Sequence, residues 1–174
     1  MRRVISLFLP TWPTDLLRRH RSAAVPPTDR PLVTAMHDGR RQTVAAADRV
    51  ARSLGLGPGM PVAQAQAVVP GLTVTTATPD ADARALEELA TWCLRYAPLT
   101  APDRPDGVWI DATGCAHLFG GEGAMLIDVV ERLAQSGVAS RAAIADTAGA
   151  AWAAARYAKA TVTVVPAGET AAAL

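Results

Sequence analysis

Short apolar runs and alternating segments predict several β-strands along the chain. Residues 4–9 (VISLFL) are almost wholly apolar, which is typical of a strand that is buried on both faces. Residues 31–37 and 41–47 also have strand character, and the Asp38-Gly39 pair between them predicts a hairpin turn. Further strands are predicted at 71–76, 108–110, 139–145 and 162–165.

Apolar residues at helical spacing predict three longer helices between these strands. The helix at 78–96 begins with Thr78 as its N-cap and Pro79 as its first helical residue. The segment 122–135 is a second amphipathic helix, and 146–158 is an alanine-rich helix whose small side chains suit close packing on a sheet. Shorter helices are predicted after Thr14 and, around a glycine-rich turn, within 47–70.

This order of strands and helices predicts an α/β (α+β) fold. It suits a ferredoxin-like sheet with helices on one face, together with a small helical insertion. At 174 residues the chain fits one compact domain or part of a larger protein. Half of the residues are apolar, which is enough to form a hydrophobic core.

The composition excludes several classes of protein. The net charge is +1 and 19% of residues are charged, so the chain has no general basic field that would attract nucleic acid. No apolar run approaches the roughly 18 residues of a membrane span, and no signal-peptide pattern opens the chain, so we predict a cytoplasmic protein. The two cysteines form no disulfide framework, and Cys115 with His117 offers too few ligands for structural zinc.

The stretch 96–121 carries the candidate chemistry. An apolar run at 108–110 predicts a buried strand, with Asp106 directly before it and Asp111 directly after it. Metal-dependent phosphoryl-transfer enzymes often place a metal ligand of this kind beside a buried strand. The alternative interpretation, in which Asp106 is a turn residue and Asp111 caps the strand, stays open at this point.

Residues 106–114 (DGVWIDATG) and the following Leu118-Phe119-Gly120 resemble the signature of the Y-family translesion DNA polymerases. Asp106 matches the first Asp of that signature, and Asp111 matches its structural Asp. The catalytic Glu of the family falls on Gly107. The resemblance therefore implies a polymerase palm in which one acidic residue of the active site is missing.

The other acidic positions of the family's metal site also differ. In the first strand the resemblance places the two Asp positions on Leu7 and Leu9, whose side chains cannot bind Mg²⁺. Asp103 is close to Asp106, but its register differs from that of the family's ligands. Two-metal phosphoryl transfer needs several acidic ligands around two ions about 4 Å apart. We therefore predict a pseudo-polymerase with no metal, no cofactor and no catalytic residue, in which Asp106 is a vestigial position.

The resemblance also implies candidate contacts to a nucleotide triphosphate. Residues 47–70 resemble the fingers of the family, where the triphosphate-holding Arg falls on Arg52 and its companion Tyr falls on Arg49. A third family contact, a Lys in the palm, falls on Lys159. These three residues are the candidates for vestigial nucleotide binding. The alternative interpretation is that Arg49 and Arg52 form a solvated helix face and that Lys159 is a helix-terminal lysine that interacts with the helix dipole.

The resemblance extends from Val4 to Lys159 and implies a division of the chain. We expect an N-terminal fragment of a polymerase-like protein whose thumb and little finger are absent. The predicted parts are palm at 1–30, a fingers-like insertion with a hairpin at 31–76, palm at 77–165, and the start of a linker at 166–174.

The degraded site and the opening at 8–19 (FLPTWPTDLLRR) resemble the ImuB group, the pseudo-polymerases of bacterial mutagenesis cassettes. This resemblance implies a non-catalytic scaffold in the SOS response, acting on DNA at the nucleoid during mutagenic translesion synthesis. The implied partners are an ImuA-type RecA-like protein, the sliding clamp and an error-prone C-family DNA polymerase. We expect most partner-binding segments, and most DNA contacts, to lie C-terminal to this fragment.

Two other hypotheses remain open on the sequence. The chain is an active polymerase with unusual ligands if Asp103 and Asp106 converge on metal with a further carboxylate. Alternatively, Arg49, Arg52 and Lys159 bind a triphosphate as a signal, which makes the chain a vestigial nucleotide-binding module.

Overall fold

The computed structural model describes residues 2–20 and 25–169. The described chain divides into two compact units, one formed by residues 2–10 and 83–169 and the other by Thr11–Asp82. In chain order the elements are β1 (Val4–Phe8), α1 (Trp12–Arg19), β2 (Leu32–His37), β3 (Gln42–Ala47), α2 (Arg49–Ser53), α3 (Val62–Val68), β4 (Thr73–Thr76), α4 (Pro79–Trp92), β5 (Thr100–Asp103), β6 (Gly107–Asp111), α5 (Glu122–Gln135), β7 (Arg141–Ala145), α6 (Ala148–Tyr157) and β8 (Val162–Val164).

The larger unit is built on a five-stranded sheet with the strand order β5-β6-β1-β7-β8. The central strand β1 pairs antiparallel with β6 and β7, and β8 pairs parallel with β7. Val4, Ile5, Ser6 and Leu7 are all buried, on both faces of β1. The apolar run at 4–9 therefore correctly predicted a strand covered on two sides.

Helix α6 packs closely on the sheet through small side chains. Ala150 and Ala151 form a buried cluster with Ala145 of β7 and Val165, and Trp109 of β6 packs against it. Helix α5 buries a longer apolar stripe made of Met125, Leu126, Val129 and Leu133. The alanine-rich helix predicted at 146–158 thus lies on the sheet, as its small residues indicated.

One buried arginine ties together four parts of the larger unit. The Arg3 side chain is 9% exposed and donates to both carboxylate oxygens of Glu122, to Asp146 and to the carbonyl of Val165. The hydrogen bonds to Glu122 are the main cause that raises the pKa of Arg3. These bonds join the start of β1 to α5, to the end of β7 and to the chain after β8.

The smaller unit has a three-stranded sheet with the order β3-β2-β4. The predicted hairpin is confirmed, because β2 and β3 pair antiparallel and Gly39 adopts a positive φ of 88° in the turn. Asp48 caps α2 by accepting from Ala51 N at 2.8 Å, and the same carboxylate pairs with Arg18 of α1.

The boundaries of the smaller unit differ from those of the predicted insertion at 31–76. The unit begins at Thr11 because α1 contacts β2 and β3, and it extends to Asp82. Within the predicted linker, Gly168 N still donates to Asp146 at 2.7 Å, and residues 170–174 lie outside the described residues. The predicted α/β (α+β) fold class, with a central sheet and a small helical part, is confirmed.

Among residues 2–20 and 25–169, no helix has the length and apolar character needed to cross a bilayer.

Candidate functional site

Two carboxylates meet at the turn between β5 and β6. Asp103 ends β5 and pairs across the turn with Gly107, the first residue of β6, and Asp106 directly precedes Gly107. Nη2 of Arg156 lies 2.9 Å from Oδ1 of Asp106 and 3.4 Å from Oδ2 of Asp103. The two acids therefore converge on a single nitrogen atom of one guanidinium group.

Two aromatic rings hold this guanidinium in place. The Arg156 Cζ atom lies 4.6 Å from the ring centroid of Phe8 and 4.2 Å from that of Trp152. Trp152 lies one turn earlier on α6, and Phe8 is the last residue of β1. With a side chain that is only 10% exposed, Arg156 makes cation–π contacts in a largely dry environment, where such contacts are strongest.

Gly107 is closely surrounded by other groups. A Cβ atom built on Gly107 would lie 3.0 Å from the carbonyl oxygen of Leu7 and 3.1 Å from Oδ2 of Asp103. A larger side chain at this position requires its neighbours to move. The carboxylate of Asp103, from the adjacent strand, thus lies in tight contact with the position where a side chain of residue 107 would begin.

The strand register decides which residue of β1 faces the acidic turn. Phe8 is paired with Gly107, and residues paired in this way have side chains on the same face of a sheet. Leu7 is paired with Val108, so its side chain lies on the opposite face. Leu9 is fully buried, and its N–H donates to the carbonyl of Asp106 at 2.8 Å. Phe8, rather than Leu7 or Leu9, is therefore the β1 side chain beside Arg156.

The donor set at this turn does not fit the two-metal centre of a polymerase. Gly107 supplies no oxygen ligand, Phe8 is apolar, and Asp103 and Asp106 are already paired with a cation. In the described part of the chain, no three side chains of His, Cys, Asp or Glu are grouped so that they could hold a metal ion. Two Mg²⁺ ions need a richer set of oxygen ligands than this turn provides.

The candidate phosphate contacts lie away from this turn in the chain. Arg49 and Arg52 are exposed on α2, in the smaller unit. Lys159 is exposed two residues after α6 ends, in the larger unit. Nucleotide binding by these three residues stays a prediction.

Asp111 has a structural role at the end of β6. Its Oδ1 accepts from Thr113 N at 3.1 Å. Hydrogen bonding from the Thr113 side chain is the main cause that lowers the pKa of Asp111. The neighbouring Cys115 donates to the carbonyl of Thr113 at a distance of 3.6 Å.

The sequence did not single out Phe8, Trp152 or Arg156, and it placed Asp103 in an unsuitable register. Two signals were nevertheless present. Asp103 and Gly107 flank a three-residue turn, so that they face each other as a cross-strand pair. Trp152 and Arg156 are four residues apart, so that they share one face of α6.

The fold matches solved polymerase structures. The insertion ternary complex of Dbh DNA polymerase has a TM-score of 0.78 at 17% identity, over 94% of this chain and 48% of that one. DinB from Sulfolobus solfataricus has a TM-score of 0.75 at 17% identity, over 95% of this chain and 48% of that one. At these identities the likeness shows a shared fold of palm and fingers.

Curated relatives are much closer in sequence. Protein ImuB from two strains of Caulobacter vibrioides is 52% identical over 121 residues, which is 70% of this chain and 26% of each relative. The chain thus spans about a quarter of the length of the curated relatives that it matches. The model of the impB/mucB/samB family matches residues 22–156. The predicted resemblance is confirmed, and the chain belongs to the impB/mucB/samB family.

Proposed function

We propose that this chain is the palm and fingers part of a non-catalytic scaffold in mutagenic translesion synthesis. The observation that carries the proposal is the environment of Gly107. A Cβ atom at this position would lie only 3.0 Å from the carbonyl of Leu7 and 3.1 Å from the carboxylate of Asp103, so a side chain there is crowded. Two-metal catalysis needs several acidic ligands in fixed positions, and this turn offers only two carboxylates that are both bound to Arg156.

The proposed partners rest on the resemblance to the ImuB group. Because the chain is 52% identical to Protein ImuB over 121 residues, we assign it the adaptor role that the ImuB resemblance implies. In this role it links an ImuA-type RecA-like protein, the sliding clamp and an error-prone C-family DNA polymerase. The proposed place of action is damaged DNA at the nucleoid, during the SOS response in the cytoplasm.

A primer-extension assay tests the absence of catalysis. The chain is incubated with primed DNA, the four deoxynucleotides and Mg²⁺ or Mn²⁺, beside a polymerase of the same fold as a positive control. We expect no incorporation from the chain or from Gly107→Glu, because the new side chain meets Leu7 and Asp103. Incorporation by the unmodified chain that Asp106→Asn abolishes would overturn the proposal.

Calorimetric titration with dATP tests for a residual nucleotide site. We expect no heat of binding at millimolar dATP, with or without Mg²⁺. Binding tighter than about 100 μM, or about 5.5 kcal/mol, that requires Mg²⁺ and Asp106 would contradict the scaffold role. Metal-independent binding that Arg49→Ala, Arg52→Ala or Lys159→Ala weakens would favour the nucleotide-binding module instead.

Co-purification tests the adaptor role. The chain, and a protein of full relative length that contains it, are each mixed with the ImuA-type protein, the clamp and the C-family polymerase. We expect the longer protein to retain all three partners. If it retains none of them while remaining folded by circular dichroism, the adaptor role is wrong.

One observation favours an active polymerase with unusual ligands as the second candidate. Asp103 and Asp106 do converge at the turn, as that hypothesis requires. The hypothesis also requires a third carboxylate and release of Arg156. Metal-dependent incorporation that Asp103→Asn and Asp106→Asn each abolish would establish this alternative.

A further inference from the structure

The guanidinium of Arg156 is a cation that lies beside the acidic turn between β5 and β6. We infer that Arg156 takes the place of the divalent metal that the family resemblance implies, so that this turn keeps its structure with no metal bound. The inference deepens the proposed function and rests on it. It concerns what the residues of this chain do at the position where the metal does not fit.

The charges at the turn require a positive partner. Asp103 and Asp106 are only 21% and 35% exposed, so their mutual repulsion is weakly screened by water. The Arg156 guanidinium is a planar cation that can donate hydrogen bonds to both carboxylates. One of its nitrogen atoms contacts both carboxylates, at 3.4 and 2.9 Å. Arg156 therefore bridges the two acids, which is the electrostatic role of a bound cation.

The position of this cation is fixed by the fold rather than by the acids. Its guanidinium is clamped between Phe8, at 4.6 Å, and Trp152, at 4.2 Å. A planar, delocalised guanidinium can stack on two rings while it donates hydrogen bonds at its edge, and a lysine ammonium cannot do both. The cation therefore belongs to the packed structure of β1 and α6.

Removal of the guanidinium should expose a latent divalent-cation site. Without Arg156, the carboxylates of Asp103 and Asp106 would face each other with no counter-charge. Two carboxylates completed by water molecules form a ligand set that Mg²⁺ and Mn²⁺ accept. A divalent ion should then stabilise the variant, although it has no effect on the unmodified chain.

Thermal unfolding in the presence of EDTA or millimolar MnCl₂ tests the inference. We expect the Tm of the unmodified chain to be the same in both buffers. Arg156→Gln keeps most of the side-chain volume and removes the charge, so its Tm in EDTA should fall by about 2–4 °C and should rise again with Mn²⁺. Arg132→Gln is the matched control, because it removes a single exposed ion pair from α5 and should show no response to Mn²⁺.

Two further variants assign any response to the acidic turn. The double change Arg156→Gln with Asp106→Asn should lose the rise with Mn²⁺, because one ligand is gone. Arg156→Lys keeps the charge and loses the stacking, so it should have a lower Tm than the unmodified chain and no response to Mn²⁺.

The outcomes separate this inference from the proposed function. If Arg156→Gln has an unchanged Tm, shows no rise with Mn²⁺, or fails to fold in both buffers, the inference is wrong and the non-catalytic role still stands. If the unmodified chain itself is stabilised by Mn²⁺, the inference also fails. Template-directed incorporation in the primer-extension assay would then decide whether the non-catalytic role fails with it.

Discussion

Among single residues, Gly107 shows how tightly the turn between β5 and β6 is packed. Its hypothetical Cβ atom is within 3.0–3.1 Å of a backbone carbonyl and a carboxylate oxygen. The backbone carbonyl belongs to the central strand β1. It cannot shift easily, because β1 is paired with a strand on each side. The absence of a side chain at position 107 is therefore a packing requirement of this turn.

This packing requirement can be tested by comparing two glycine-to-alanine variants, one at the turn and one in α6. Gly107→Ala should destabilise the chain by about 1–3 kcal/mol, because the added methyl group overpacks the turn. Gly149→Ala lies within α6 and meets nothing within 4 Å, so it should stabilise the chain by about 0.5–1 kcal/mol. Urea unfolding of the two variants measures both changes in the free energy of unfolding. Equal effects of the two changes would show that the turn accommodates a side chain.

Arg3 joins segments from both ends of the larger unit. Its side chain is 9% exposed and contacts two carboxylates and a carbonyl that are far apart in sequence. Loss of one member of a buried ionic group leaves the remaining charges unpaired, which costs more than the loss of an exposed pair.

Arg3→Met should therefore lower the free energy of unfolding by about 3 kcal/mol. Arg2→Met is the control, because Arg2 is 73% exposed and lies 3.9 Å from Asp111, so its effect should stay within about 0.5 kcal/mol. Chemical denaturation of both variants gives the comparison. If the two midpoints shift equally, the Arg3 group contributes no more than a surface pair.

At the scale of elements, a polar contact fixes the chain after α4 to α5. The hydroxyl of Tyr96 donates to Asp128 at 2.7 Å, and Arg132 donates to the same carboxylate at 2.8 Å. The hydrogen bond from Arg132, followed by that from Tyr96, lowers the pKa of Asp128. Burial, as the first cause, raises the pKa of Tyr96, so its hydroxyl remains a donor at neutral pH.

This contact predicts a defined pH dependence of stability. Because the pKa of Asp128 is lower in the folded than in the unfolded chain, its contribution is present above the unfolded pKa of about 3.9 and is lost as the pH falls through the folded pKa. Asp128→Asn should therefore show a smaller loss of stability between pH 6 and about pH 3 than the unmodified chain. Urea unfolding across this range measures it, and an unchanged loss would contradict the assignment.

The elements themselves were largely predictable from the sequence because their signals are local. The Asp38-Gly39 turn and the apolar run at 4–9 each act within a few residues. The helix predicted at 78–96 ends earlier as α4, at Trp92, and continues as a short 3-10 helix at Cys93–Arg95. The residue at which a helix ends depends on tertiary packing, and the spacing of apolar residues in the sequence does not predict it.

At the scale of the whole molecule, each unit has a core of its own. The smaller unit encloses a cluster whose members all come from residues 33–72, among them Val33, Val44 and Leu56. Trp12 Nε1 also donates to the carbonyl of Asp82 at 3.0 Å, which joins the start of this unit to its end. A segment that has its own sheet and core, and whose two ends are joined by a hydrogen bond, is expected to fold separately.

The fragment 11–82 should therefore fold when it is expressed alone. Because a unit of this size buries a modest core, we expect low stability with a cooperative thermal transition. Circular dichroism and hydrogen exchange measure the outcome, and Val44→Asp is a control that should abolish the transition. A spectrum without secondary structure for the unmodified fragment would show that the larger unit is required.

The candidate site was less predictable than the fold, because its parts come from distant segments. Phe8 is the last residue of β1, Asp103 ends β5, Asp106 lies in the turn that follows, and Arg156 lies on α6. The family motif identified Asp106 and Gly107 from their order in the chain. The strand register and the position of α6 bring the guanidinium of Arg156 to the two carboxylates. Neither of them can be predicted from a local sequence pattern.

The packing around Gly107 and Arg156 also restricts how this sequence can change over time. A glutamate at position 107 would meet the carbonyl of Leu7 before it gained any ligand partner. Loss of Arg156 alone would leave two like charges side by side. Each of these single changes is therefore expected to lower the stability of the chain. Positions 107 and 156 should thus tolerate few single substitutions, because the residues around the turn already occupy the space and balance the charge there.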